Sequence, residues 1–115
     1  MLTFWGLKSC DTCKKALKWL DAEGIRHEIK DVRADGVPPR DLARWLKAVG
    51  WENLVNKSST TWRGLPEAAK ADLDAAKAKA LLAERPTLIK RPVFDSGGTV
   101  IVGFRDAQRD ALKAL

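Results

Sequence analysis

Two cysteines, Cys10 and Cys13, are the only thiols of the chain, and they lie three residues apart in the stretch GLKSCDTCKK, just after a short apolar run. Such a pair can act as nucleophile and resolving thiol, hold a metal, or simply pack. A thiol is a nucleophile only as thiolate, and the unpaired N–H groups and dipole of a helix N-terminus favour that anion. Cys10 is expected at such a helix mouth, with Lys8, Lys14 and Lys15 adding positive charge and Asp11 removing some, so its pKa is predicted to fall. Cys13, one helical turn on, is within bridging reach and could resolve a mixed disulfide. It also belongs to an apolar stripe, which makes it equally readable as a small buried residue. No metal is expected: a closed zinc site takes four ligands, and only His27 and scattered carboxylates remain to complete one.

The elements that must position these thiols follow from periodicity. Leu2 to Trp5 is short, apolar and β-prone, and Gly6 ends it. Cys13, Ala16, Leu17 and Leu20 recur at helical spacing up to the stop at Gly24. Ile25 to Lys30 alternates as a second strand, in which His27 is given no catalytic role, and the turn residues Asp31 to Gly36 follow. Strand, helix and strand within about 30 residues form a βαβ unit with parallel strands. Pro38 and Pro39 open a helix whose face is Leu42, Trp45, Leu46 and Val49; Trp51 to Val55 forms another turn, and Asn56 to Gly64 reads as a loop. Helices are expected after Pro66 and from Asp74 to Leu82, ending before Pro86. Val93-Phe94 and Val100 to Val102, joined by Ser96-Gly97-Gly98, make an antiparallel hairpin. A last helix from Asp106 should carry Ala107, Leu112 and Leu115 inward.

The order βαβ, helices, ββα is an α/β, thioredoxin-like arrangement with an α-helical insertion at about residues 37–90 and a mixed four-stranded sheet, all within a single domain over residues 1–115. In that layout the loop after the first strand sits at the carboxyl end of a parallel strand, where ligands collect. Arg91-Pro92, just before a strand, adds a second signal, since a proline there can hold a cis bond and leave backbone groups free for an extended substrate.

The 115 residues carry a net charge of +6 and a pI near 9.6, with 21 basic and 15 acidic side chains interleaved along the chain. That pattern reads as a solvated surface with some affinity for anions and not as a nucleic-acid stripe. The opening MLTFWGLKS has no leader character, and nowhere do about 18 apolar residues run together. A cytoplasmic monomer without a membrane partner is expected, and its reducing surroundings favour redox chemistry over a structural disulfide.

Four segments in order, GLKSCDTCKKALKWL, TTWRGL, TLIKRPV and VGF, resemble the ArsC/Spx family of thioredoxin-like proteins, and among them the YffB-type, arsenate reductase-like branch. The resemblance implies a catalytic cysteine at Cys10 and a cis proline at Pro92 facing it. It also implies glutathione as reductant or co-substrate with no bound cofactor, and therefore a glutathione-dependent thiol-disulfide reductase acting on a small thiol or disulfide, with glutaredoxin as a further partner. Lys8, Ser9, Thr12, Lys14, Arg63, Arg91 and Pro92 are the expected substrate or glutathione contacts, with Cys10 and Cys13 as the catalytic pair. Two other activities occur in this family. Arsenate reductases use one cysteine and three arginines; Arg91 matches one of these, but Asn56 and Gly103 stand where the other two are expected. Both lack the bidentate charge an oxyanion favours, with Arg63 and Arg105 lying nearby in sequence. Spx-type regulators carry the same Cys-x-x-Cys spacing as a redox switch and bind RNA polymerase.

Overall fold

The computed structural model describes residues 2–115. The chain divides into two compact units, one made of the chain up to Asp35 together with Arg91–Leu115, the other of Gly36–Lys90.

In the first unit, β1 (Leu2–Gly6) leads through a turn closed by the Cys10 N–H donating to the Leu7 carbonyl at 3.0 Å into α1 (Asp11–Ala22). β2 (His27–Asp31) then pairs parallel to β1, with Phe4 opposite Ile29. The strand begins two residues later than its alternation suggests, because the Ile25 N–H is spent on Leu20 O at 3.0 Å, in the turn that closes α1 around Gly24 at φ +68°.

From the far end of the chain, β3 (Val93–Asp95) pairs antiparallel to β1, and the hairpin partner β4 (Val100–Val102) completes the sheet in the order β2-β1-β3-β4. Leu2, Phe4 and Phe94 project from one face onto Cys13, Ala16 and Leu20 of α1 and Leu112 of the final helix. That helix follows β4 at Asp106–Lys113. Its start is tied by the Arg105 N–H donating to Gln108 Oε1 at 2.9 Å. It buries only Leu112: Ala107 is exposed and Leu115 is 56% exposed, contrary to the expected inward stripe. The apolar cover beside it comes from Phe104, whose ring meets Trp19 edge-on with centroids 5.7 Å apart.

The second unit is helical. Pro39 occupies the first turn of α2 (Pro39–Val49), followed by α3 (Trp51–Leu54), α4 (Thr60–Arg63), α5 (Glu67–Lys70) and α6 (Ala75–Glu84). Its core is Trp45, Leu42, Leu54, Leu82, Leu88 and Ile89, all at or below 1% exposure. The segment expected as a loop over 56–64 holds α4 because Ser59 caps it: its hydroxyl accepts from the Trp62 N–H at 3.1 Å. Asp74 caps α6 in the same way through the Lys77 N–H at 2.8 Å. Lys57 lies 5.8 Å from the ring centres of both Trp51 and Trp62, and Lys70 lies 5.5 Å from that of Trp62. No helix among the described residues is long and apolar enough to cross a membrane.

Candidate active site

Cys10 occupies the N-cap position of α1 in an extended conformation (φ −89°, ψ 117°), its carbonyl accepting from the Lys14 N–H at 3.1 Å. Its sulfur is half-buried and unbridged. Burial works against the Cys10 anion, but is outweighed by the Cys13 backbone N–H and thiol, both donating to it, and by the charge and hydrogen bond of the Arg91 guanidinium. Cys10 therefore ionises below the usual thiol range.

Cys13 behaves oppositely. It is 2% exposed within the apolar cluster. Burial is the main cause that pushes its thiol up to about 12; the bond to Cys10 and that neighbour's charge add to the rise, while the Leu7 backbone N–H and Arg91 oppose it. The three-residue spacing thus yields one ionisable sulfur at the surface and one protonated sulfur beneath it, the second serving as donor to the first.

The Arg91–Pro92 bond is cis. Pro92 is buried, and its carbonyl accepts from the Gly103 N–H at 2.8 Å, fixing the start of β3 against the end of β4. Replacing Arg91 by Met should move the midpoint of the Cys10 alkylation rate to higher pH, because one favourable charge and one donor are lost. An unmoved midpoint in an iodoacetamide rate profile would remove Arg91 from the site.

Ser9, Thr12 and Lys14 are exposed around the helix mouth. Lys8 is exposed as well, but its backbone N–H and its ammonium both face Asp31 at the end of β2. Burial alone would raise the Asp31 carboxyl, but the N–H groups of Ala34, Arg33 and Lys8, with the Lys8 charge, hold it below its usual range. Arg63 ends α4 in the second unit and is exposed. Trp5 is 3% exposed in the sheet, with Lys30 Nζ 5.6 Å from its ring centre. No cluster of three or more metal-ligating side chains occurs among the described residues.

The two positions without the expected arginines differ in kind. Asn56 holds the local turn, its side-chain oxygen accepting from the Ser58 N–H at 3.0 Å. Gly103 has φ +93° and is buried, a backbone state that an arginine would adopt only under strain.

Gly6 gave no functional signal in the sequence beyond ending a strand. A Cβ there would stand 2.6 Å from Phe4 Cε1 and 3.0 Å from Cys13 Sγ, so the missing side chain is what lets the lower sulfur seat. Gly6→Ala is expected to cost about 1–3 kcal/mol of stability by overpacking and to speed alkylation of Cys13, read by urea denaturation and by mass spectrometry of the labelled thiols.

Comparison with known proteins places these features in a family. The model of the ArsC family matches residues 5–112. An uncharacterized protein of Haemophilus influenzae is 47% identical over 111 residues, covering 96% of this chain and 97% of its own length. The solved structure of a protein named YFFB superposes with a TM-score of 0.91 at 43% identity, over 99% of this chain and 97% of its own. The solution structure of an arsenate reductase (ArsC) related protein from Brucella melitensis gives 0.77 at 42% identity, over 99% and 95% of the two chains.

Proposed function

This chain belongs to the ArsC family, with its thioredoxin-like fold, and we propose that within it the chain is a glutathione-dependent thiol-disulfide reductase with Cys10 as nucleophile. The observation that carries the proposal is the placement of the sulfurs: Cys10 stands half-buried at the N-cap of α1 beside Arg91, which favours its thiolate, and Cys13 lies beneath it at 2% exposure, which holds it protonated.

In the first step the Cys10 thiolate attacks the glutathionyl sulfur of a mixed disulfide R–S–S–G. The Cys10–S–S–G bond forms, R–S⁻ leaves and takes a proton from solvent. Glutathione thiolate then attacks the glutathionyl sulfur on Cys10, releasing oxidised glutathione and restoring the Cys10 thiolate. The sum converts R–S–S–G and one glutathione into R–SH and glutathione disulfide. Cys13 supplies hydrogen bonds to the attacking and departing Cys10 anion in both steps, and Arg91 its charge. Lys14, Ser9 and Thr12, exposed at the helix mouth, would meet the carboxylates and amides of glutathione.

Arsenate reduction is a weaker reading, because Asn56 is engaged in its own turn and Gly103 carries no charge and has φ +93°, which an arginine would adopt only under strain. Turnover of a glutathionylated peptide, followed by glutathione disulfide release, tests the proposal, together with mass detection of a glutathionyl adduct on Cys10. Absence of both, with brisk arsenate turnover or a stoichiometric complex with RNA polymerase, would overturn it.

A further inference from the structure

β2 is an edge strand of the sheet. The Val32 N–H donates to the Gly6 carbonyl at 3.0 Å, so by alternation along the strand Lys30 and Glu28 also turn their backbone groups towards β1, while Ile29 turns its N–H and C=O away from it. The Ile29 side chain shares the α1 face with Phe4, its register partner. α1 does not overhang it: Ile29 is 62% exposed, and Glu28 and Lys30 on either side are exposed as well. An open edge of this kind is a template for a further strand.

Charge limits which strand can add there. β2 reads His27-Glu28-Ile29-Lys30-Asp31. A second β2 running antiparallel and centred on Glu28 would set Glu28 against its own copy and Arg26 against Lys30; centred on Lys30, it would set two lysines face to face. Like charges directly opposite one another oppose pairing. Centred on Ile29, no like charges meet: Glu28 faces Lys30 of the other copy, His27 faces Asp31, and Ile29 faces Ile29. In that register the outward N–H and C=O of Ile29 are exchanged between the copies as a hydrogen-bonded pair. Glu28 and Lys30 then fall in the closer, non-hydrogen-bonded positions, on the face where Lys30 lies over Trp5. Glu28 has no ion pair within its own chain among the described residues. Asp31 adds little to the ladder, because its N–H donates to Asp35 Oδ2 at 2.8 Å and its carbonyl accepts from the Asp35 N–H at 3.0 Å.

We infer that the β2 edge is a self-association surface: two copies of the chain pair antiparallel about Ile29, joining their four-stranded sheets across a two-fold axis. On the α1 face the two isoleucines meet beside the apolar side chains of Leu7 and Leu17, which line the same cleft as Ile29. The ladder is short and well below a standard interface, so the dimer is weak and reversible, with a Kd on the order of 1 mM. The pairing does not involve Cys10 and stands whether or not that thiol turns over disulfides.

The test is a dilution series of the reduced, isotope-labelled full chain from about 2 mM downwards, followed by amide shifts and by sedimentation equilibrium. Concentration-dependent shifts centred on Glu28, Ile29 and Lys30 are expected, together with a monomer–dimer equilibrium. Glu28→Lys and Lys30→Glu, both at exposed positions, should each weaken association about ten-fold or more, because each turns two opposite-charge pairs into like-charge pairs. The double exchange Glu28→Lys with Lys30→Glu restores the complementary pairs and should restore the dimer. An equimolar mixture of the two single variants should associate as well, since one then presents only lysines where the other presents only glutamates. A chain that stays monomeric throughout the series, or shifts centred on β4 instead, overturns the inference. So does a double exchange that remains monomeric, or single variants that ignore one another when mixed.

Discussion

Cys10→Ser is expected to lower kcat/KM for a glutathionylated substrate by about 10³-fold or more, whereas Cys13→Ser should keep it within about three-fold when glutathione is the reductant. The first loss follows because a serine hydroxyl ionises far above any pH at which Arg91 and the Cys13 N–H could stabilise its anion. The second variant keeps a hydroxyl where the thiol donated to Cys10, so one hydrogen bond survives. It removes a resolving group that hardly exists at neutral pH: a thiol pushed up to about 12 is ionised at pH 7 in only about one molecule in 10⁵. Once Cys10 is in a mixed disulfide its charge no longer opposes Cys13 ionisation, but burial, the largest cause of the shift, persists. Glutathione, with an ordinary thiol and free access, is the faster resolver. The measurement is steady-state release of glutathione disulfide by the two variants under identical conditions. Equal collapse of both would show that Cys13 is chemically required, and the one-thiol cycle would be abandoned.

Phe94→Ala is expected to destabilise the first unit by about 3–5 kcal/mol, a large part of the 5–15 kcal/mol that typically separates a folded domain from its unfolded chain. Phe94 is fully buried at the centre of the sheet, paired across the ladder with Phe4. The two rings meet edge to face, centroids 5.6 Å apart at 68°, and the Phe104 ring lies 6.3 Å from Phe94 on another side. Removing that ring opens a cavity that backbone hydrogen bonds on both neighbouring strands prevent from collapsing. Ile29→Ser on the edge strand serves as the contrast. Being 62% exposed, Ile29 should change stability by no more than about 0.5 kcal/mol. Urea denaturation midpoints decide; a loss near 1 kcal/mol for Phe94→Ala would mean that the three rings do not act as one packed cluster.

The β1 strand, the helix that Cys10 caps and that carries Cys13, and the hairpin at Val93 to Val102 were all legible, because each is a short apolar run or helical stripe bounded by glycine or proline. The position of Cys10 at the helix mouth followed from the same pattern. α4 was hidden by composition: Asn56 to Gly64 looks like a loop until Ser59 is seen to cap it. Ala107 and Leu115 were misplaced because an eight-residue helix carries too few apolar positions to define a face. The site was less readable than the fold. Lys8 gave only its charge, and its engagement with Asp31 depends on how the chain turns after β2. Arg91 was visible through its proline, but its contact with the Cys10 sulfur joins residues 81 positions apart, which local pattern does not report.

The order β2-β1-β3-β4 puts the earliest strand in the middle of the sheet. During synthesis β1 can join β2 as soon as Asp31 has left the ribosome, but its other edge waits for Val93–Asp95. At about 5–20 residues per second that interval lasts several seconds, with Phe4 and Trp5 lacking their final neighbours. A nascent chain of this kind offers an open β-edge to any holding chaperone, and to other nascent copies on the same messenger, until the last third of the protein has been translated.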